Sequence, residues 1–126
     1  MLNITDTHCH IDGEEFADDR EAVIQRAREA GVGKVFVPAI DLTTSQRILS
    51  LCQQYPDFLY PMVGLHPEEV RADWREQLSA IKTILNSQLS IINCIGEVGL
   101  DYYWSREFEQ EQLEAFEEQV KWSAET

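Results

Sequence analysis

The stretch Asp6-Thr7-His8-Cys9-His10-Ile11-Asp12 sets two histidines two positions apart near the N-terminus, with an acid two positions further on either side. On an extended chain, side chains alternate between faces, so Asp6, His8, His10 and Asp12 are expected on one face and Thr7, Cys9 and Ile11 on the other. Two imidazoles side by side can grip one metal ion, and nearby carboxylates can orient or join them. The plain alternative is a polar strand end left in solvent. A further donor, Glu97 in IGEVGLD, follows a largely apolar run and lies between Gly96 and Gly99. A carboxylate there is costly to desolvate unless something positive meets it, which a metal would do. The flanking glycines would let the backbone approach closely; the alternative is a glutamate exposed in a glycine-rich turn.

Other candidates carry weaker signals. His66 in Gly-Leu-His-Pro can touch a substrate phosphate or sit hydrogen-bonded under its own loop. Asp101, Tyr102 and Tyr103 can line a pocket, although tyrosines at a strand exit are also ordinary packing residues. Asp41, just before LTTSQ, reads as the start of a helix.

Something must bring these residues together, and the chain has a regular plan for it. DDREAVIQRAREAG is rich in helix formers and closes on Gly31, a helix terminator. KVFVPAI has the β-branched content of a buried strand. In TTSQRILSLCQQYP, Ile48, Leu51, Cys52 and Tyr55 follow one helical face until Pro56 stops it. FLYPMVGLHP is a third strand, weakened at Pro61. DWREQLSAIKTILNS is a helix with Asp73 and Glu76 spaced as a capping box, and Trp74, Leu78, Ile81 and Leu85 along one side. IINCIGEVGLDYYW supplies the fourth strand and its exit. A final helix, EFEQEQLEAFEEQVKWSAE, is expected to turn Leu113, Phe116 and Val120 inward and its acids outward.

Four strand–helix units in succession imply an α/β fold with a parallel sheet and helices outside, as one domain spanning residues 1–126. The polar candidates all fall where a strand ends, the edge at which α/β folds collect ligands and catalytic groups.

Composition narrows the function classes. The chain has 126 residues, of which 44% are hydrophobic and 26% charged, as in soluble globular proteins. No apolar run approaches membrane-spanning length, and no signal peptide is apparent, so a cytoplasmic protein without membrane association is expected. Cys9, Cys52 and Cys94 lack zinc-type CxxC spacing and are expected as reduced, mostly buried thiols. A formal net charge of −13 argues against broad backbone binding to nucleic acid. It leaves room for a phosphate substrate where a divalent cation reverses the local field.

DTHCHID, VGLHPEE and GEVGLDYYW, taken together and in this order, resemble the successive motifs of the TatD-related metal-dependent deoxyribonucleases, within the amidohydrolase-like metal barrels. The resemblance implies a TIM-type (β/α)8 barrel of which this chain is a half barrel: four βα units with parallel strands. It implies two divalent ions (Mg, Mn or Zn) at the C-terminal mouth, with His8 and His10 holding the first and Glu97 bridging to the second. Asp6 would orient the histidine pair, Glu97 and His66 would be catalytic, and Asp101 and Tyr103 would lie on the substrate side. The implied reaction is hydrolysis of DNA phosphodiesters by metal-activated water. Two further histidines and an aspartate that the family pattern sets on later strands have no counterpart, since His66 is the only histidine after His10 and no aspartate follows Asp101. A half barrel would expose both sheet edges and its inner face, so self-association is expected, with a second copy completing or covering it. Two alternatives stay open: a related enzyme acting on an amide or ester, and a fragment that folds and associates without catalysis.

Overall fold

A computed structural model describes residues 3–126, and Met1 and Leu2, the head of the apolar N-terminal stretch, lie outside the described residues. Four strands, β1 (Ile4–Asp6), β2 (Val32–Pro38), β3 (Leu59–Val63) and β4 (Cys94–Ile95), alternate with four helices. The helices are α1 (Arg20–Glu29), α2 (Leu42–Gln54), α3 (Trp74–Ser87) and α4 (Glu109–Glu125), with short 3-10 turns at Glu14–Phe16 and Pro67–Glu69. All strand pairs are parallel and the spatial order is β1-β2-β3-β4, the sequence order, which is the topology of half a (β/α)8 barrel. Among the described residues, no helix is long and apolar enough to cross a membrane.

Local chemistry accounts for the boundaries. Gly31, with φ of 102°, takes the left-handed conformation that ends α1. Asp41 starts α2 through a capping box: its Oδ1 accepts from the Thr44 N–H at 2.8 Å, and the Asp41 N–H donates to Thr44 Oγ1 at 3.0 Å. Asp41 is therefore a cap, as its position before LTTSQ suggests. The same motif does not form at α3. Asp73 precedes the helix, but its side chain caps no N–H and accepts from Gln77 Nε2 instead. Pro61 is tolerated in β3 because pairing with β4 begins only at Met62.

The core lies between the sheet and the helices. Val35 and Val37 of β2 and Leu59 of β3 pack with Ile48, Leu51 and Cys52 of α2. Val63 packs with Trp74, Leu78, Ile81 and Leu85 of α3 and with Ala115 and Trp122 of α4. Each fully buried side chain such as Ile48 or Ile81 contributes about 1.5–3 kcal/mol of hydrophobic stabilisation. On the opposite face of the sheet, Phe36, Tyr60 and Met62 are half-buried, with the Phe36 and Tyr60 rings 5.7 Å apart.

The buried face of α4 differs from the one expected. Gln112, Ala115, Gln119 and Trp122 face the core, whereas Leu113 and Val120 are 41% and 48% exposed and Phe116 is half-buried. The two glutamines go inside because each finds main-chain partners there, which Leu113 and Val120 could not satisfy. Cys94 is exposed, against the expectation of mostly buried thiols, while Cys9 is half-buried and Cys52 buried.

Candidate metal centre

β1 stops at Asp6, so His8 and His10 lie just beyond it. The extended course nevertheless continues, because the Cys9 N–H donates to the Phe36 carbonyl of β2 at 3.1 Å. Cys9 packs against the core, and the two histidines project from the other side with Nε2 atoms 3.1 Å apart. Their rings meet edge to face at 78°, with centroids 4.9 Å apart.

The expected shared face breaks at both acids. Asp6 does not reach an imidazole; its Oδ1 accepts from the His8 main-chain N–H at 3.0 Å and so shapes the chain that carries the ring. Asp12 turns away altogether, since residues 11 and 12 form a turn that ends the alternation. Its side chain is 3% exposed, and Oδ2 accepts from both Arg47 Nη2 at 2.7 Å and Nε at 3.1 Å. Arg20 ties down the same turn by donating to the carbonyls of Ile11, Asp12 and Gly13. Asp12 is thus half of a buried ion pair that fixes the loop behind the histidines.

Glu97 arrives from the other end of the sheet. Its N–H donates to the Ala39 carbonyl at 2.7 Å, and the His66 N–H donates to the Ile40 carbonyl at 2.7 Å. The chain beyond β2 thereby accepts from the segments that follow both β3 and β4, drawing the three strand ends together. Glycine is needed at Gly64, where a Cβ would lie 2.8 Å from the Gly96 carbonyl carbon. Gly96 packs closely on Met62, whereas Gly99 has open space around it, so only one of the two glycines flanking Glu97 serves close approach.

Glu97 Oε2 lies 3.3 Å from His8 Nε2 and 3.4 Å from His10 Nε2. Two donors bound at about 2.1 Å to one ion, and separated by roughly 90–109°, are about 3.0–3.4 Å apart. The three edges of the Nε2–Nε2–Oε2 triangle fall in that range, so the donor set fits a divalent cation. Among the described residues these three are the one group of His, Cys, Asp or Glu of this size close enough to share an ion. His8 and His10 are about half exposed and Glu97 is 29% exposed, which leaves one side of the group open to water and ligand.

His66 flanks the group on the far side of the carboxylate, with Nε2 3.4 Å from Glu97 Oε1. Its Nδ1 accepts from the Glu68 N–H at 3.0 Å, so the neutral ring carries its proton on Nε2. The ring therefore faces Glu97 as a donor, with no lone pair left for an ion.

Two residues that position the site escaped the sequence reading. Gln119, buried in α4, accepts from the Leu65 N–H at 2.8 Å and donates to the Leu65 carbonyl at 3.2 Å, fixing the residue before His66. Gln112 holds Asp101 in the same way, with both bonds at 2.9 Å. The signal was present as the stripe 112, 115, 119, 122, in which Ala115 and Trp122 share a helical face with the two amides. Asp101 Oδ1 accepts from the Tyr103 N–H, and Tyr103 projects into solvent beside Trp104. Neither Asp101 nor Tyr103 belongs to the donor triangle.

The family model described as "TatD related DNase" matches residues 5–126. An Escherichia coli K12 protein named an uncharacterized metal-dependent hydrolase, YjjV, is 38% identical over 96% of this chain and 46% of its own length. A 3'-5' ssDNA/RNA exonuclease TatD from Erwinia tasmaniensis is 33% identical over 95% of this chain and 46% of its own. The crystal structure of E. coli YjjV superposes with a TM-score of 0.81 over 94% of this chain and 45% of that one. A TatD-family hydrolase from Entamoeba histolytica, 18% identical, shares the fold with a TM-score of 0.82, covering 98% of this chain and 46% of that one. This chain spans about half the length of the curated relatives it matches. On the match over residues 5–126, it belongs to the TatD related DNase family.

Proposed function

We propose that the chain carries the first metal position of a phosphodiesterase site and acts, with a divalent ion bound, on single-stranded DNA. The observation that supports this most is the triangle of His8 Nε2, His10 Nε2 and Glu97 Oε2, sized for one cation. When bound, such an ion supplies positive charge at the phosphoryl oxygens and acidifies water for attack on phosphorus. His8 and His10 contribute neutral lone pairs, and Glu97 contributes the compensating negative charge. His66, with its one proton on Nε2, directs it at Glu97 Oε1, and a non-bridging phosphate oxygen arriving in the same space would take that donor over from the carboxylate. Asp6 acts through the His8 main chain, and Asp101 and Tyr103 would lie on the substrate side. One ion is what these donors support; a second would need ligands beyond this group.

The net charge of −13 repels a DNA strand, so at low salt, where that repulsion is unscreened, binding as well as hydrolysis should require the cation. The test is release of nucleotides from single-stranded DNA by chain of verified mass, with Mg, Mn or Zn and with EDTA. Metal-dependent release that His8→Ala abolishes is the expected result. A folded, metal-loaded chain that cleaves a generic ester but no DNA would overturn the substrate; one that cleaves neither would overturn the catalytic reading.

A second reading concerns assembly. The half-buried Phe36, Tyr60 and Met62 on one sheet face, flanked by the edge strands β1 and β4, form unpartnered apolar surface. We infer that two copies associate through it. Light scattering at micromolar concentration should then give twice the chain mass, and a monodisperse monomer would rule it out.

A further inference from the structure

A cavity of about 180 Å³ has Pro67 and Glu68, the residues that follow His66, in its wall. At this size it is smaller than the ~300–1,000 Å³ of a whole small-molecule site and suits a single ring system. Trp104 forms one side and is 74% exposed, with the neighbouring Tyr103 ring edge-on to it at 4.7 Å and 89°. Phe108 and Val70 supply apolar lining.

The aromatic pair is held in place. Gln112 clamps both main-chain groups of Asp101, Asp101 Oδ1 accepts from the Tyr103 N–H, and Ser105 Oγ accepts from the Glu107 N–H. Large indole and phenol rings on a fixed loop, left in solvent, contribute nothing to the core. The indole face of Trp104, with the Tyr103 ring edge-on to it, offers one stacking platform at low entropic cost.

Charge narrows the ligand further. Glu68, Asp101 and Glu107 rim the cavity against one cation, Arg71. A phosphate would be repelled there, so an anion is the wrong occupant. A neutral planar group with N–H donors on its edge is the right one, because carboxylates accept from the exocyclic amino group of cytosine and find no such donor at the equivalent position of thymine.

We propose that this cavity is a nucleobase subsite: one base of a single strand stacks on Trp104 with its amino edge toward the acidic rim, on the same segments after β3 and β4 that carry His66 and Glu97. The inference rests on the nucleic-acid reading of the His8, His10 and Glu97 group, but it is read out without catalysis. Trp74 and Trp122 are buried, so quenching of the exposed fluorescence reports Trp104.

In EDTA at high salt, a short oligodeoxycytidine is titrated against an oligothymidine and an abasic strand of equal length. The expected order is cytidine, thymidine, abasic, from tightest to weakest. Trp104→Ala, followed by anisotropy of a labelled strand, should weaken oligodeoxycytidine roughly five- to hundredfold, and Trp104→Phe should largely restore it. The substituted side chain is solvent-exposed, so the fold is retained. Equal affinity of the wild type and Trp104→Ala, or an abasic strand bound as tightly as oligodeoxycytidine, would overturn the subsite whatever the hydrolysis assay gives. Equal binding of cytidine and thymidine would overturn the acidic-edge assignment. Base-dependent binding by a chain that hydrolyses nothing would support the subsite and overturn the catalytic reading.

Discussion

The buried amide of Gln119 closes a two-bond ring on the main chain of Leu65, fifty-four residues earlier, accepting its N–H at 2.8 Å and donating to its carbonyl at 3.2 Å. This ring anchors the segment leading into His66 to the helix that also carries Gln112 and its grip on Asp101. Both loops at the mouth of the sheet thus hang from one face of α4. Removing the amide leaves two buried main-chain groups unpaired, each costing about 1–3 kcal/mol. Gln119→Ala should lower the urea midpoint by an amount equivalent to about 2–4 kcal/mol, and an unchanged midpoint would show that the ring does not hold the loop.

Divalent ion binding should stabilise the fold through the donor triangle. At a hundredfold excess over Kd, a bound ion adds about 2.7 kcal/mol, which raises Tm by roughly 10 °C in a domain of this size. His8→Ala, His10→Ala and Glu97→Gln should each abolish the shift while leaving the metal-free Tm close to the wild-type value, because all three side chains are at least partly exposed. A shift that persists in Glu97→Gln would place the ion elsewhere.

Asp12 and Arg47 should behave as a structural pair and not as part of the metal group. Arg47→Leu strands a carboxylate that is 3% exposed, which costs about 3 kcal/mol where the lost partner is itself partly in solvent. Asp12→Asn should lower stability while keeping metal affinity within about twofold, as titration calorimetry would record. A large loss of affinity in that variant would return Asp12 to the ion.

The three thiols should react in a fixed order. Burial, with the Asp12 charge adding to it, pushes the Cys52 thiol up to about 12, and burial followed by the Asp6 charge raises Cys9. Cys94 is exposed and should be alkylated first by iodoacetamide, with Cys52 last. The folded state favours the protonated Cys52. Its stabilisation is therefore complete below the ordinary thiol value of 9.0 and is lost as pH rises toward 12. Denaturation midpoints measured from pH 8 upward should fall across that window, and less so in Cys52→Ala.

Much of the architecture was readable from local pattern. The 3.6-residue period of Ile48, Leu51 and Cys52, and of Trp74, Leu78, Ile81 and Leu85, marked α2 and α3 because a helix must bury one stripe. Where two stripes compete, as in α4, hydrophobicity alone favours Leu113 and Val120. The choice is made by hydrogen-bond partners on other elements, which periodicity cannot see. The Asp73 cap failed for a similar reason, since its carboxylate found Gln77 in place of the helix N–H groups.

For the site, the sequence by itself determined which donors exist and that each follows a strand. His8 and His10 share a side because alternation along an extended chain is a property of neighbouring residues. Only the tertiary structure decided that Glu97 meets them while Asp12 does not. Glu97 is carried in by its N–H to the Ala39 carbonyl, and Asp12 is carried off by Arg47, thirty-five residues away. Such pairings satisfy buried polar groups across elements distant in sequence, and no short-range pattern encodes which partner will be within reach once the sheet has formed.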